Sequence, residues 1–332
     1  MSTTTQTGHL DMVATALDPL HHGAGTIGNV QVLRTQAVIL DDGSEARIPF
    51  VSGNSIKHLL RDGGARFAIE ALGIENGALS KGMVDLLWSG GGLTKGGSAV
   101  SIGKARELER LFPLLAVLGY GAGNTMTASK LRVDHLHLVC AENAWRMPAA
   151  LLDTPHARLL AGEYQGEEFG TRHDALRDPT ASRVLDVQTR TMIEGERSDK
   201  AKDKSASEKV RDSAQMIYEF ETVKAGARFW GRIGFRDLTP LEVGALQASL
   251  GRSCQGMHGD AYVYHLGAKA AVGFGRLAVS FTGSLRHIAR PVENEADALT
   301  RFGADAGGVS EYLSHLRENR AAIIDAIREA AE

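Results

Sequence analysis

The sequence predicts an α+β fold built in the order strand, helix, strand, strand, helix, strand. Three observations predict it. An apolar run, Ile48-Pro-Phe-Val51, stops at a Ser52-Gly53-Asn54 turn and passes into a helix whose Ile56, Leu59 and Leu60 share one face. Far downstream, Thr239-Pro-Leu-Glu242 is a capping box with proline at the first helical position, so a second helix starts there and runs to about Leu250. Around these helices lie segments rich in β-formers or alternating apolar residues, at 9–16, 131–140, 215–223, 227–236 and 276–281.

In chain order, residues 9–16 alternate well enough for a first strand, and a loop with His21, His22 and Gly23 follows. Val30 to Ile39 is β-branched and partly alternating, with Asp41, Asp42 and Gly43 in a hairpin turn. The first helix is expected to continue through Gly63 and Gly64 toward Leu72. A second helical piece covers Leu79 to Trp88, then a glycine-rich loop, Ser89 to Gly97, and a helix from Lys104 to Leu118 that ends in the loop Gly119 to Asn124. Residues 145–181 have no clear period. Residues 182–213 are polar, with a mixed-charge tip at Lys200 to Ser207 flanked by Val184, Leu185, Val187, Met192 and Ile193, which reads as a protruding β-hairpin. A glycine-containing loop after Leu250 leads through Gly267 to Arg276 into the last strand, and residues 310–331 form an amphipathic helix with Leu313, Leu316, Ile323, Ile324 and Ile327 turned inward. The frame is the ferredoxin-like, or RRM-like, order: one domain over 1–332, interrupted at 74–130 and 182–213 and closed by a helical segment at 293–332.

Composition removes several function classes. The 38 glycines among 332 residues, roughly 11% against an average of about 7%, point to many tight turns. Cys140 and Cys254 give neither a disulfide framework nor a metal spacing, which suits a reducing cytoplasm. No secretory leader or run of about 18 apolar residues is seen, so no membrane role is expected. The net charge of -3 argues against a protein that coats nucleic acid by bulk charge. Its distribution does not: Lys224 to Arg236 holds four cations and no acid, Lys269 to Arg290 repeats that count, and the acids gather after Glu293.

The candidate site is the start of the first helix. Unpaired N–H groups at the positive end of the helix dipole, Ser and Asn side chains, and Lys57 and Arg61 four residues apart make a place for an anion, with phosphate the expected one. Other motifs fall away. Gly23-Ala-Gly-Thr-Ile-Gly28 matches a dinucleotide fingerprint but is followed by β-formers rather than a helix, so a nucleotide-dependent oxidoreductase would rest on that run alone. Gly103-Lys104-Ala105 lacks the spacing and the hydroxyl of a phosphate-binding P-loop. His135 and His137 would share a strand face, yet no third ligand accompanies them, so no metal and no cofactor are expected.

The turn Pro49-Phe-Val-Ser-Gly-Asn-Ser-Ile-Lys57, the late loop ending Gly273-Phe-Gly-Arg276, Glu221 to Phe229, Phe112-Pro-Leu-Leu115 and Gly119 to Asn124 together resemble the RAMP superfamily of CRISPR-associated RNA-binding proteins. Within it the chain is most similar to the Cas-seven family of backbone subunits of class 1 effector complexes, of type IV. The resemblance covers residues 9 to 283. It implies an RRM-like palm with finger insertions (74–130) and a thumb β-hairpin (182–213), repeating head to tail along a guide (cr)RNA.

The partners implied are the guide RNA, further copies of the chain, other effector subunits and a target paired with the guide. The residues implied as RNA-binding are His22, Asn29, Gln31, Arg34, Ser52, Asn54, Ser55, Lys57, His58, Arg61, Asn124, Lys269 and Arg276, with Arg183, Arg190, Met192 and Ile193 on the thumb. One branch of the family cleaves target RNA with an aspartate in the loop before the Pro-Gly-Ser turn. Here that loop reads Gly28-Asn-Val-Gln-Val-Leu-Arg34 and holds no carboxylate, so a scaffold without catalytic residues is expected. The alternative is an endoribonuclease that uses His21 or His22 as acid and base.

Overall fold

Leu10, Met12, Ala14 and Ala16 are buried along one face of the first strand while their neighbours are part-exposed, as a period of two requires. The structure, a computed structural model, describes residues 5–91, 101–173, 184, 186–188, 215–284 and 307–331. The chain divides into two compact units, one formed by Met1–His22, Arg34–Gln165 and Val223–Glu332, the other by Gly23–Leu33 and Gly166–Thr222.

The described strands are β1 (Gln6–Ala16), β2 (Gly23–Ile27), β3 (Val30–Leu33), β4 (Thr35–Ile39), β5 (Glu45–Val51), β6 (Tyr120–Ala122), β7 (Thr125–Thr127), β8 (Leu131–Val133), β9 (Leu136–Leu138), β10 (Gln165–His173), β11 (Gln215–Val223), β12 (Arg228–Leu238), β13 (Gly256–His258), β14 (Ala261–His265) and β15 (Arg276–Gly283). The described α-helices are α1 (Gly53–Leu72), α2 (Lys81–Val84), α3 (Ile102–Leu111), α4 (Pro113–Leu118), α5 (Ala149–Leu152), α6 (Pro240–Ser253), α7 (Gly307–Glu318) and α8 (Arg320–Ala331). No described helix is long and apolar enough to cross a membrane.

The first unit is an α+β body around a sheet ordered β13-β14-β15-β1-β12-β9-β5-β4, with β8 also on β12. The pairs β15–β1, β1–β12, β12–β9, β9–β5 and β5–β4 are antiparallel. Cross-strand register places Phe50, His137, Trp230, Val13 and Ser280 in one row across it. The middle of that row is covered by the chain itself, because Val139, Met147, Leu151 and Ala157 pack against Val13 and Trp230. In the second unit the strands run β10-β11-β3-β2, with β3 parallel to β11 and antiparallel to β2.

α1 lies on α6 at unusually close range. A Cβ on Gly63 would stand 2.1 Å from Ser253 Oγ and 2.5 Å from Ser249 O, and one on Gly64 would stand 2.5 Å from Leu114 Cδ1. This is why two glycines sit inside a 20-residue helix without ending it. Gly63→Ala should therefore lower stability by about 1–3 kcal/mol despite alanine's better helix propensity, measurable as a lower urea midpoint at unchanged slope. α7 adds to this layer, with Tyr312 stacked on Phe67 at 5.9 Å between ring centroids.

Several elements depart from the expected plan, each for a local reason. The helix expected over Lys104–Leu118 is two helices, since Pro113 drives Phe112 to φ −126°, ψ 81°. The loop Gly119–Asn124 is largely strand, and β6 turns through Gly123-Asn124 into β7. The strand expected at Leu131–Cys140 breaks at Asp134 and His135 into β8 and β9. The loop after Leu250 holds the β13–β14 hairpin, and the C-terminal helix is interrupted at Asn319. The run Gly28–Arg34 is the turn and second strand of the β2–β3 hairpin, with Ile27 opposite Val30. The capping box behaves as expected: Thr239 Oγ1 accepts from Glu242 N–H, and Glu242 Oε2 accepts from Thr239 N–H.

Candidate nucleic-acid interface

Ser52 ends β5 and caps α1. Its Oγ accepts from Ser55 N–H at 3.2 Å and meets Ser55 Oγ at 3.0 Å. The backbone donors just before are taken by two imidazoles. Ser52 N–H donates to His22 Nε2 at 3.2 Å, and Gly53 N–H donates to His135 Nδ1 at 3.0 Å. Both ring nitrogens therefore act as acceptors, which for His22 means a neutral ring. The ring of Phe50 packs on His135 at 4.7 Å and edge-on to His22 at 6.3 Å.

Burial, together with the positive charge of Arg34, pushes the His22 pKa down to about 4. Burial and Arg146 do the same to His137, also to about 4, and Arg146 Nη1 lies 3.0 Å from His137 Nδ1. A ring this far below neutrality, with its Nε2 lone pair on a backbone N–H, is unsuited to trade protons at pH 7. His22, expected to touch RNA or to act as an acid, is buried and accepts a hydrogen bond from the backbone just before the helix start. Among the described residues no group of three or more His, Cys, Asp or Glu could hold a metal ion.

His21 and His22 also tie the helix start to the late glycine-rich loop. His21 O accepts from Ala268 N–H at 2.9 Å, Pro19 O accepts from Gly275 N–H at 3.0 Å, and Arg276 O accepts from Leu17 N–H at 2.8 Å. The approach requires glycine: Gly267 and Gly275 have φ of 89° and 84°, and a Cβ would stand 2.6 Å from His21 O and 2.3 Å from Leu266 O respectively. The two motifs that the sequence places more than two hundred residues apart thus meet through Leu17–His22.

The expected contact residues divide sharply by environment. Asn54 and His58 are exposed on the first turns of α1, Ser55 and Lys57 are half-buried beside them, and Arg34 is exposed next to His22. Lys57 has no acidic partner among the described residues, and both burial and the nearby Arg61 charge lower its pKa. The first turn of α1 carries no acid either. Arg61 sits deeper than a surface contact: it is only 8% exposed, and its Nη2 donates to Leu118 O at 3.1 Å and Gly119 O at 2.6 Å. The 3.6-residue turn puts it on Lys57's flank but rolls it toward α4, so its charge acts from beneath the surface.

Arg276 is likewise committed, donating from Nε and Nη2 to both Asp18 oxygens at 2.6 and 2.9 Å. Lys269 stands at the loop's left-handed corner, φ 67°. Asn124 is exposed at the tip between β6 and β7. Asn29 and Gln31 belong to the second unit, where Asn29 O accepts from Glu219 N–H and Gln31 pairs with Phe220. Arg183, Arg190, Met192 and Ile193, most of the 182–213 hairpin and residues 92–97 of the finger loop lie outside the described residues. Sequence reading missed Phe50, His135 and Arg146 as parts of the site. The His135-x-His137 spacing is the one sequence signal that points to them.

No family model and no curated protein matches this sequence. Solved structures do match by shape. A chain of a Type IV-B CRISPR complex superposes with a TM-score of 0.54 at 20% identity, over 88% of this chain and 98% of that one. Thermofilum pendens Csc2 aligns at a TM-score of 0.36 and 14% identity, over 99% of this chain and 82% of that one. The chain therefore shares its fold with a component of a Type IV-B CRISPR complex.

Proposed function

We propose that this chain is a non-catalytic backbone subunit of a type IV CRISPR ribonucleoprotein, binding guide RNA and repeating head to tail along it with other effector subunits. The observation that carries this reading is the junction at α1. A helix start without acids, a Lys57 with no acidic partner among the described residues and a buried Arg61 make a positive site, and the glycine-rich loop is tied to it through Leu17–His22. Such a site suits successive phosphates of a backbone and does not read base sequence. The fold likeness to a Type IV-B CRISPR complex component supports the same reading. In it the sheet segment β15-β1-β12-β9, with α1 and α6 as its two crossovers, is an RRM-like palm, residues 74–130 are fingers and 182–213 a thumb.

The covered row Val13–Trp230 supports an interface displaced from the middle of the sheet toward β9 and β5, where Phe50, His135 and α1 meet. The neutral, hydrogen-bonded His22 weighs against the nuclease alternative.

The test is binding of unrelated single-stranded RNAs across a salt series. Lys57→Ala should weaken all of them alike and flatten the slope of log K against log salt by about 1. Sequence-dependent loss, or an unchanged slope, would put the phosphate groove elsewhere. Purification free of nucleic acid as a monomer that binds no RNA would defeat the scaffold reading, and repeat-RNA cleavage lost in His22→Ala would establish the nuclease.

A further inference from the structure

Trp145 is 68% exposed, although the turn that carries it is fastened on either side. Asn143 is buried and donates from Nδ2 to Leu138 O at 2.8 Å, and Met147 is buried in the cluster over Trp230. The indole is thus held out by a fixed 3₁₀ turn, Ala141–Arg146. Arg146 backs it, with Cζ 4.4 Å from the ring centroid. The same guanidinium is held by Gln36 Oε1 at 3.2 Å and His137 Nδ1 at 3.0 Å, and its Nε is buried without a partner. No carboxylate pairs with Arg146 among the described residues.

An indole with one face on a fixed cation and the other in solvent has the chemistry to hold a flat, electron-rich ring. Stacking tolerates any base, and the uncompensated charge behind it favours a polyanion. The place is also continuous with the α1 junction: the rings of His137 and His135 stand 6.0 Å apart, and His135 holds Gly53 N–H. We propose that Trp145 is a base-stacking platform, on which one unstacked nucleobase of a single strand lies against the outer indole face while Arg146 holds the inner one. This rests on the RNA-binding reading above and adds to it a second point of contact along the strand.

The test uses the full chain and a single-stranded oligouridylate, comparing wild type with Trp145→Ala, Trp145→Phe and Lys57→Ala. Trp145→Ala should bind about tenfold more weakly, the scale of one lost stacked base, with an unchanged salt slope, since no phosphate contact is removed. Trp145→Phe should recover most of that loss. RNA should quench the fluorescence of wild type more than that of Trp145→Phe, which retains Trp88 and Trp230.

Wild-type affinity in Trp145→Ala while Lys57→Ala is impaired would overturn the platform and leave the groove standing. Wild type that binds no single strand would overturn both. Loss of self-association in Trp145→Ala with RNA affinity intact would assign the indole to a protein contact and also overturn the proposal.

Discussion

Gly53→Ala should unseat the start of α1, costing about 2 kcal/mol of stability and most of the RNA affinity. An added Cβ would stand 2.3 Å from Val133 O and 3.0 Å from Asp134 O, both backbone atoms at the break between β8 and β9. Neither can swing aside as a side chain does, so the helix start must retreat and its N–H must leave His135. Alanine is otherwise the better helix former, and the residue does not lie in the left-handed region. Loss in this variant therefore reports the close approach. Chemical unfolding and RNA binding measured together check it, with Asn54→Ala, one residue on and exposed, as the control that should stay near wild type in stability. A Gly53→Ala protein as stable as wild type, binding RNA equally well, would show that the junction tolerates displacement.

Acid should weaken the folded chain well above the range in which carboxylates alone would do so. His22 and His137 have pKa values near 4 in the fold against 6.5 as the ordinary value. The unfolded chain therefore binds their protons first as pH falls. The stability they contribute as neutral groups is fully present above about pH 6.5 and is lost as pH drops toward 4. Fully titrated, that gap corresponds to about 3 kcal/mol for each group, and because both border His135 the two do not simply add.

The structural consequence is specific, because protonated His22 cannot accept from Ser52 N–H and places a charge beside Arg34. Urea unfolding from pH 7.5 to 4.5 should show the decline begin near pH 6.5. His22→Asn, which keeps an acceptor without a titrating ring, should be less stable at pH 7.5 but decline less steeply. A flat profile between pH 7 and 5 would contradict the neutral assignment.

How far the sequence reaches can be seen residue by residue. Thr239, Pro240 and Glu242 start a helix by contacts within one turn, and the structure has that helix with both box hydrogen bonds. Ser52 as cap and the run of α1 to Leu72 were legible for the same reason. Pro113 is equally local, and its constraint on Phe112 is what splits the helix there. The β13–β14 hairpin was signalled by Gly259-Asp260 before Tyr262 and Tyr264, but a three-residue strand has too little periodicity to stand out.

The site itself was half legible. Lys57 beside a capped helix start, and glycines at 267 and 275, are local chemistry that a single sequence displays, and that chemistry is what the proposed anion site is built on. Arg61 could not be placed the same way. Spacing puts it near Lys57, but whether a guanidinium meets solvent or the carbonyls of Leu118 and Gly119 depends on α4, about fifty residues on.

His22, His135 and Arg146 come from three separate segments, and their roles exist only because the sheet brings Phe50, His137 and Trp230 into one row. Backbone donors at a helix start must find acceptors, and the nearest ones in space are remote in sequence. Helix caps and turns are settled within a few residues of chain; which buried polar groups satisfy one another, and which cation is left unpaired to attract a partner, is settled by packing.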